Sequence, residues 1–203
     1  MVQFLRLLER PDMKRFSFLI AWVYLLGGTQ PAWCQNIEDD LAARIVSHLG
    51  AVSERSEHFH ETRDLAVLTH PLSSSGVLVF RRPAFLKKET LSPRPETLVI
   101  NGDVVSVERE GHTRQILLTE NPALSLLATT LRAPLAGNVG ALRHAYHVSA
   151  NGDLGAWTLI MTPLSEQARK MVREVVLTGR NNAVETLKIT QTNGDRQTLM
   201  IDP

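Results

Sequence analysis

The chain has 203 residues, 43% hydrophobic and 21% charged, with 22 Lys+Arg against 21 Asp+Glu. That length suffices for one packed domain, and the near balance of charge excludes the basic stripe of a nucleic-acid binder. The single cysteine, Cys34, excludes a disulfide framework, so stability must come from a packed core.

In chain order, the first element is a leader. "MKRFSFLIAWVYLLGGTQPAWCQ" (13–35) has a basic start at Lys14 and Arg15, an apolar run from Phe16 to Leu26, and small-residue spacing at Ala32-x-Cys34. This is the layout of a secretory signal peptide over residues 1–34, too short in its apolar part to span a bilayer as a helix. Met13 reads as a better start than Met1, because Glu9 and Asp12 precede the basic region. Cleavage is expected after Cys34. The alternative, lipidation of Cys34, wants a small residue where bulky Trp33 stands. Removing residues 1–34 takes away four basic and two acidic residues and leaves 18 Lys+Arg against 19 Asp+Glu in a single domain, 35–203.

"NIEDDLAARIVSHLG" (36–50) predicts an amphipathic helix: Leu41, Ile45, Val46 and Leu49 make the apolar stripe, Glu38, Asp39 and Asp40 suit the first turn, and Gly50 stops it. Strand character follows from about Ser56 to Leu68. Then come short strands with tight turns. Asn-Gly-Asp occurs at 101–103, 151–153 and 193–195, each between apolar alternations, and Glu110-Gly111 offers a fourth turn. Ten or eleven strands joined this way predict an antiparallel meander.

Two segments interrupt it. "NPALSLLATTLRAPLAGNVGALRHAY" (121–146) predicts helix in two pieces, with Asn121 as cap, Pro122 in the first turn, and a break from Pro134 to Gly140. "PLSEQARKMVR" (163–173) predicts a shorter helix capped by Ser165. Leu124, Leu126, Leu127 and Leu131 face more than one side of the first helix, so it needs cover on more than one side. The sum is an α+β fold whose large sheet curls around inserted helices.

Signals for chemistry are sparse. His58 and His60 share a strand face, but zinc needs three or four converging ligands, and no metal is expected. "SSSG" (73–76) lacks a nucleophile elbow, no phosphate-cradling glycine loop occurs, and no catalytic residue is assigned. Arg81 and Arg82 at a strand end raise a sharper question. Alternation sends one to solvent and the other inward, and an inward arginine must find acceptors; helix-end carbonyls around Ala133–Gly140 are the expected ones. Two surface arginines ending a strand are the alternative.

The stretch Gly76, Leu78, Arg82-Pro83, Phe85-Leu86, Leu98–Ile100, Gly102-Asp103 and Val104–Val107, with "WTLIMTPLSE" at 157–166, resembles the periplasmic outer-membrane lipoprotein carrier family (LolA and the related LolB receptor), as a divergent member. The resemblance implies an incomplete, open antiparallel β-barrel of about 10–11 strands, with helices forming a lid over a hydrophobic cavity. It implies a periplasmic carrier, not an enzyme, that ferries the acyl chains of a lipoprotein or lipid-like cargo toward the outer membrane without a cofactor. Arg82 carries over as the lid-locking arginine by its place before the proline. The cavity is expected to be lined by Leu78, Phe80, Leu86, Leu98, Ile100, Leu124, Leu127 and Leu131. Implied partners are the cargo, an inner-membrane export complex and an outer-membrane acceptor, with the protein itself a monomer. Two departures point to altered cargo or docking: aromatics are only 5%, and the chain ends at Pro203, where the typical carrier continues. The other function class is a non-transport accessory protein or enzyme of envelope lipid or glycolipid biosynthesis, with polar groups converging near His58, His60 and Arg82.

Overall fold

The computed structural model describes residues 40–202; the expected leader, its start and its cleavage point lie outside the described residues. The first helix, α1 (Leu41–Leu49), begins where Asp40 Oδ1 accepts the Ala43 N–H at 3.1 Å, and it buries Ala42, Ile45, Val46 and Leu49. Strands β1 (Glu54–Asp64), β2 (Leu72–Arg81), β3 (Phe85–Ser92), β4 (Glu96–Asn101), β5 (Val104–Arg109) and β6 (His112–Leu117) follow. Next come a 3-10 turn (Leu118–Glu120) and helices α2 (Pro122–Leu135) and α3 (Val139–Ala145). Strands β7 (Tyr146–Gly152) and β8 (Trp157–Pro163), helix α4 (Glu166–Arg169), and strands β9 (Val172–Arg180), β10 (Ala183–Gln191) and β11 (Arg196–Asp202) complete the chain.

The eleven strands form one sheet in the order β6-β5-β4-β3-β2-β1-β11-β10-β9-β8-β7, and all the pairings are antiparallel. Every neighbouring pair is a consecutive hairpin except β1–β11, which joins the first strand to the last in the middle of the sheet. The edges β6 and β7 do not pair, so the sheet is open, and the chain passes from one edge to the other through α2 and α3. Among the described residues no helix is long and apolar enough to cross a membrane.

Register defines the inner face. One cross-strand row runs Arg55–Phe80–Leu86–Ile100–Val105, and a second runs Glu61–Leu199–Leu187–Leu177–Leu159. All ten are buried. α2 lies between two apolar clusters, one around Phe80, Leu86, Ile100 and Val105, the other around Phe59, Leu159, Leu177 and Leu187. An all-round apolar helix therefore has cover on two sides, which leaves its leucines half-buried.

Several local expectations shift. The first strand starts earlier and ends at Asp64, because β2 begins at Leu72 and the residues between turn back. α2 runs on through Pro134 to Leu135, with the proline in its last turn. Asn151 and Gly152 close strand β7; the link is the loop 153–156, in which Asp153 Oδ1 accepts the Gly155 and Ala156 N–H groups at 2.7 and 3.0 Å. At Glu110-Gly111 the two-residue turn forms with φ of 53° and 77°, both positive as such a hairpin requires.

Candidate functional site: an apolar cavity under a helical lid

Between the inner face and the second half of α2 lies a cavity of about 50 Å³. Leu78, Phe80 and Leu86 line it from β2 and β3; Leu177, Leu187 and Leu199 line it from β9, β10 and β11. α2 supplies its roof with Thr130, Leu131, Pro134 and Leu135, and Arg55 and Glu57 of β1 supply its polar edge. A cavity of about 150 Å³ takes no more than a benzene-sized guest, so this space is too small for an acyl chain with the lid in place. Its walls are nearly all hydrocarbon, contributed by the sheet and by α2.

Of the eight residues expected to line a cavity, Leu78, Phe80, Leu86 and Leu131 do so here. Ile100 is fully packed in the neighbouring cluster, with Leu98 and Leu124 against it. Leu127 lines a second crevice of about 70 Å³ beside Tyr146, Val175 and Ile189. The wall from β9 to β11 escaped the sequence reading, although Leu177, Leu187 and Leu199 each occupy an inward position of an alternating strand.

The arginines need correction. β2 ends at Arg81, so strand alternation does not extend to Arg82, and both side chains are exposed. Arg81 pairs with Glu54 at 2.7 Å and covers the Phe85 ring. Arg82 Nη1 donates to the Gly50 carbonyl at 2.6 Å, at the end of α1 rather than in the 133–140 segment. The inward arginine is Arg55, opposite Phe80 in the register. It too reaches a helix-end carbonyl, Leu49 of α1, at 3.1 Å.

α2 is fastened by its own residues. Arg132 Nη1 donates to the Gly102 carbonyl at 2.6 Å and the Ala84 carbonyl at 3.3 Å, tying the lid to the β4–β5 and β2–β3 hairpins. On the other side the Thr130 and Tyr146 hydroxyls bond to each other, linking α2 to β7. Burial pushes the Tyr146 pKa up, the Thr130 bond offsetting part of that. At the α2–α3 corner, Gly137 (φ 74°) packs so closely on Gly50 that a Cβ on Gly50 would collide with its backbone. α3 is tied to the start of α1 by Arg143 and Asp40, 2.6 Å apart, and the hydrogen bond from Arg143 holds the Asp40 pKa below its ordinary value.

Away from the lid, the sheet buries a carboxylate. Glu61 accepts from Lys88, Arg63 (2.6 Å), Gln197 (2.6 Å) and Ser74 (3.2 Å), and its side chain is 1% exposed. Burial works to raise its pKa, but Lys88 and then Arg63 outweigh that and lower it. His58 and His60 flank buried Phe59 and point out of the opposite face, both exposed, so they do not converge with Arg82. Among the described residues no three metal-ligating side chains cluster.

Comparison with curated proteins returned no match. Three solved structures resemble the fold at low identity. A LolA superfamily protein from Nitrosomonas europaea has a TM-score of 0.41 at 8% identity, covering 82% of this chain and 91% of that one. The lipoprotein LppX of Mycobacterium tuberculosis has a TM-score of 0.44 at 14% identity, covering 82% and 94%. A putative outer membrane lipoprotein-sorting protein domain from Vibrio parahaemolyticus has a TM-score of 0.46 at 9% identity, covering 82% and 91%. The family described as outer membrane lipoprotein carrier protein LolA-like matches residues 36–202, and with that span of the chain accounted for, the protein belongs to the LolA-like family.

Proposed function

We propose that the protein is an exported carrier that takes the acyl chains of a lipoprotein or lipid-like cargo between α2 and the inner face of the sheet. The observation that carries this reading is an apolar helix roofing an apolar trough through few polar ties. Each methylene kept from water is worth about 0.8 kcal/mol, so an acyl chain in transit needs such cover. Because the roofed cavity is only about 50 Å³, loading requires α2 to lift, a two-state opening biased by the cargo. In this reading α2, with Leu124, Leu127 and Leu131 on its underside, is the lid. Arg132 is its direct latch. Arg82 acts at one remove, by holding the Gly50 end of α1 on which Gly137 rests. Residues 1–34 direct the chain to the periplasm, residues 35–203 work as a monomeric carrier domain, and the partners are the cargo, an inner-membrane donor complex and an outer-membrane acceptor.

Native mass spectrometry of the protein purified from cell envelopes without detergent tests this. A co-purifying species of lipid or acyl-peptide mass, less retained in an Arg132→Met variant, is the expected result. Empty protein together with no uptake of a fluorescent acyl probe would overturn the carrier role in favour of a non-transport accessory one.

A further inference from the structure

We infer that the cavity takes its acyl chain with a carbonyl group buried against Arg55, and that it selects neutral esters or amides over free fatty acids; this rests on the carrier reading above. Arg55 lines the cavity, yet its side chain is only 8% exposed. Its Nη2 donates to the carbonyls of Leu49, at 3.1 Å, and Asn182, and its Nη1 faces the Glu57 carboxylate at 3.5 Å. Among the described residues its Nε–H has no acceptor. A buried donor left unmatched is costly, and more so when charged, so an oxygen brought in by a ligand gains a bond that the protein itself leaves unmade.

The second group on that edge decides which oxygen. Glu57 also lines the cavity and is mostly buried, 18% exposed. Its charge already balances that of Arg55, so a carboxylate entering beside it meets repulsion in a poorly screened place. A carbonyl oxygen accepts the Nε–H without adding charge. The surrounding Leu78, Phe80, Leu199 and Ile201 receive the hydrocarbon next to it. The chemistry selected is an acyl carbonyl with its attached chain, a group shared by ester lipids and acylated proteins.

Displacement of N-phenyl-1-naphthylamine from the protein, with each competitor delivered from cyclodextrin, tests the inference. The competitors are hexadecane, methyl palmitate, an N-palmitoyl dipeptide amide and palmitate. Both neutral carbonyl ligands should outcompete hexadecane by about tenfold, palmitate should be weaker than either, and the tighter of the two neutral ligands names the source. Arg55→Lys keeps the charge and a donor for Leu49 but removes Nε; it should abolish the carbonyl preference while hexadecane still binds. Glu57→Gln, which leaves Arg55 intact, should raise palmitate affinity by about tenfold with little change for the ester. Equal binding of hexadecane and methyl palmitate by the unaltered protein would overturn the inference and leave the carrier reading standing, as would unchanged palmitate binding in Glu57→Gln. Failure of the dye and of all four competitors to bind would overturn both.

Discussion

Glu61 is a carboxylate only 1% exposed, held by four donors from four strands: Arg63 on its own strand, Ser74 on β2, Lys88 on β3 and Gln197 on β11. Lys88 also lies 5.0 Å from the centroid of the Phe59 ring. Removing one partner of such a pair strands the other, and a buried unpaired charge costs about 3–5 kcal/mol. Glu61→Gln should therefore lower stability by about 3 kcal/mol, read as a shift in the urea midpoint with an unchanged slope. The pH dependence follows from the lowered pKa of Glu61. The folded state binds its proton less readily than the unfolded state, so the stabilisation is present above the ordinary value of 4.5 and is lost as pH falls through the lower folded one. Between about pH 5 and about pH 2, Glu61→Gln should lose less stability than the unaltered protein. A parallel loss in both would show that the carboxylate is not the titrating group. This cluster was partly readable: in "ERSEHFHETRD" Arg55, Glu57, Phe59 and Glu61 share one parity, and a phenylalanine marks the inner side. Hydropathy gives no reason to bury those charges, because the partners that make their burial tolerable come from strands far along the chain.

At the scale of elements, the caps were plain in the sequence and the fastenings were not. Asn121 Oδ1 accepts the Leu124 N–H at 3.1 Å and Ser165 Oγ the Ala168 N–H at 3.1 Å, both within three residues and so within reach of a local pattern. Arg132 finds its acceptors 30 and 48 residues away, and only the folded hairpins place Gly102 and Ala84 together. The same distance explains why Arg82, next to its proline, drew the attention. Two substitutions separate the two arginines. Arg132→Met keeps the stem and removes the donor, so amide exchange in α2 should quicken roughly tenfold, the loss of a charged hydrogen bond being about 1.5–3 kcal/mol, with α1 unchanged. Arg82→Met should instead quicken exchange at the end of α1 and the Gly137 corner. Equal protection of α2 in both variants and the unaltered protein would remove Arg132 from the lid's control. Gly50→Ala drives a methyl into the Gly137 backbone and should cost about 1–3 kcal/mol, while increasing dye uptake because the corner is pushed off its support.

For the whole molecule the decisive contact is the pairing of β1 with β11, which sets Phe59 opposite Ile201 and Glu61 opposite Leu199. The remaining strand pairs are local hairpins, β2 to β6 on one side and β7 to β10 on the other, and the repeated turn signals made those readable one at a time. Nothing local specifies that the last strand enters the middle of the sheet. Without β11 the two halves share no ladder, and the inner row loses Leu199 between Glu61 and Leu187. In a chain beginning at Gln35, Trp157 is the only tryptophan, since the other two are Trp22 and Trp33. It is 2% exposed and donates from Nε1 to the Asn181 carbonyl at 3.0 Å, so its emission reports the β7–β10 half, whereas far-ultraviolet circular dichroism reports both. With β11 present, the two signals should fall together in a single urea transition, because one sheet couples them. A chain ending at Asp195 should show red-shifted Trp157 emission and no cooperative transition. Retention of a buried Trp157 in that shorter chain, with a sharp transition of its own, would mean that β7–β10 and the helices fold independently and that the lid could load cargo on half a sheet. The side chains from both halves that wall the cavity, Leu78 and Phe80 on one side and Leu177 and Leu187 on the other, argue instead that joining the two halves through β11 is the step that creates the cavity.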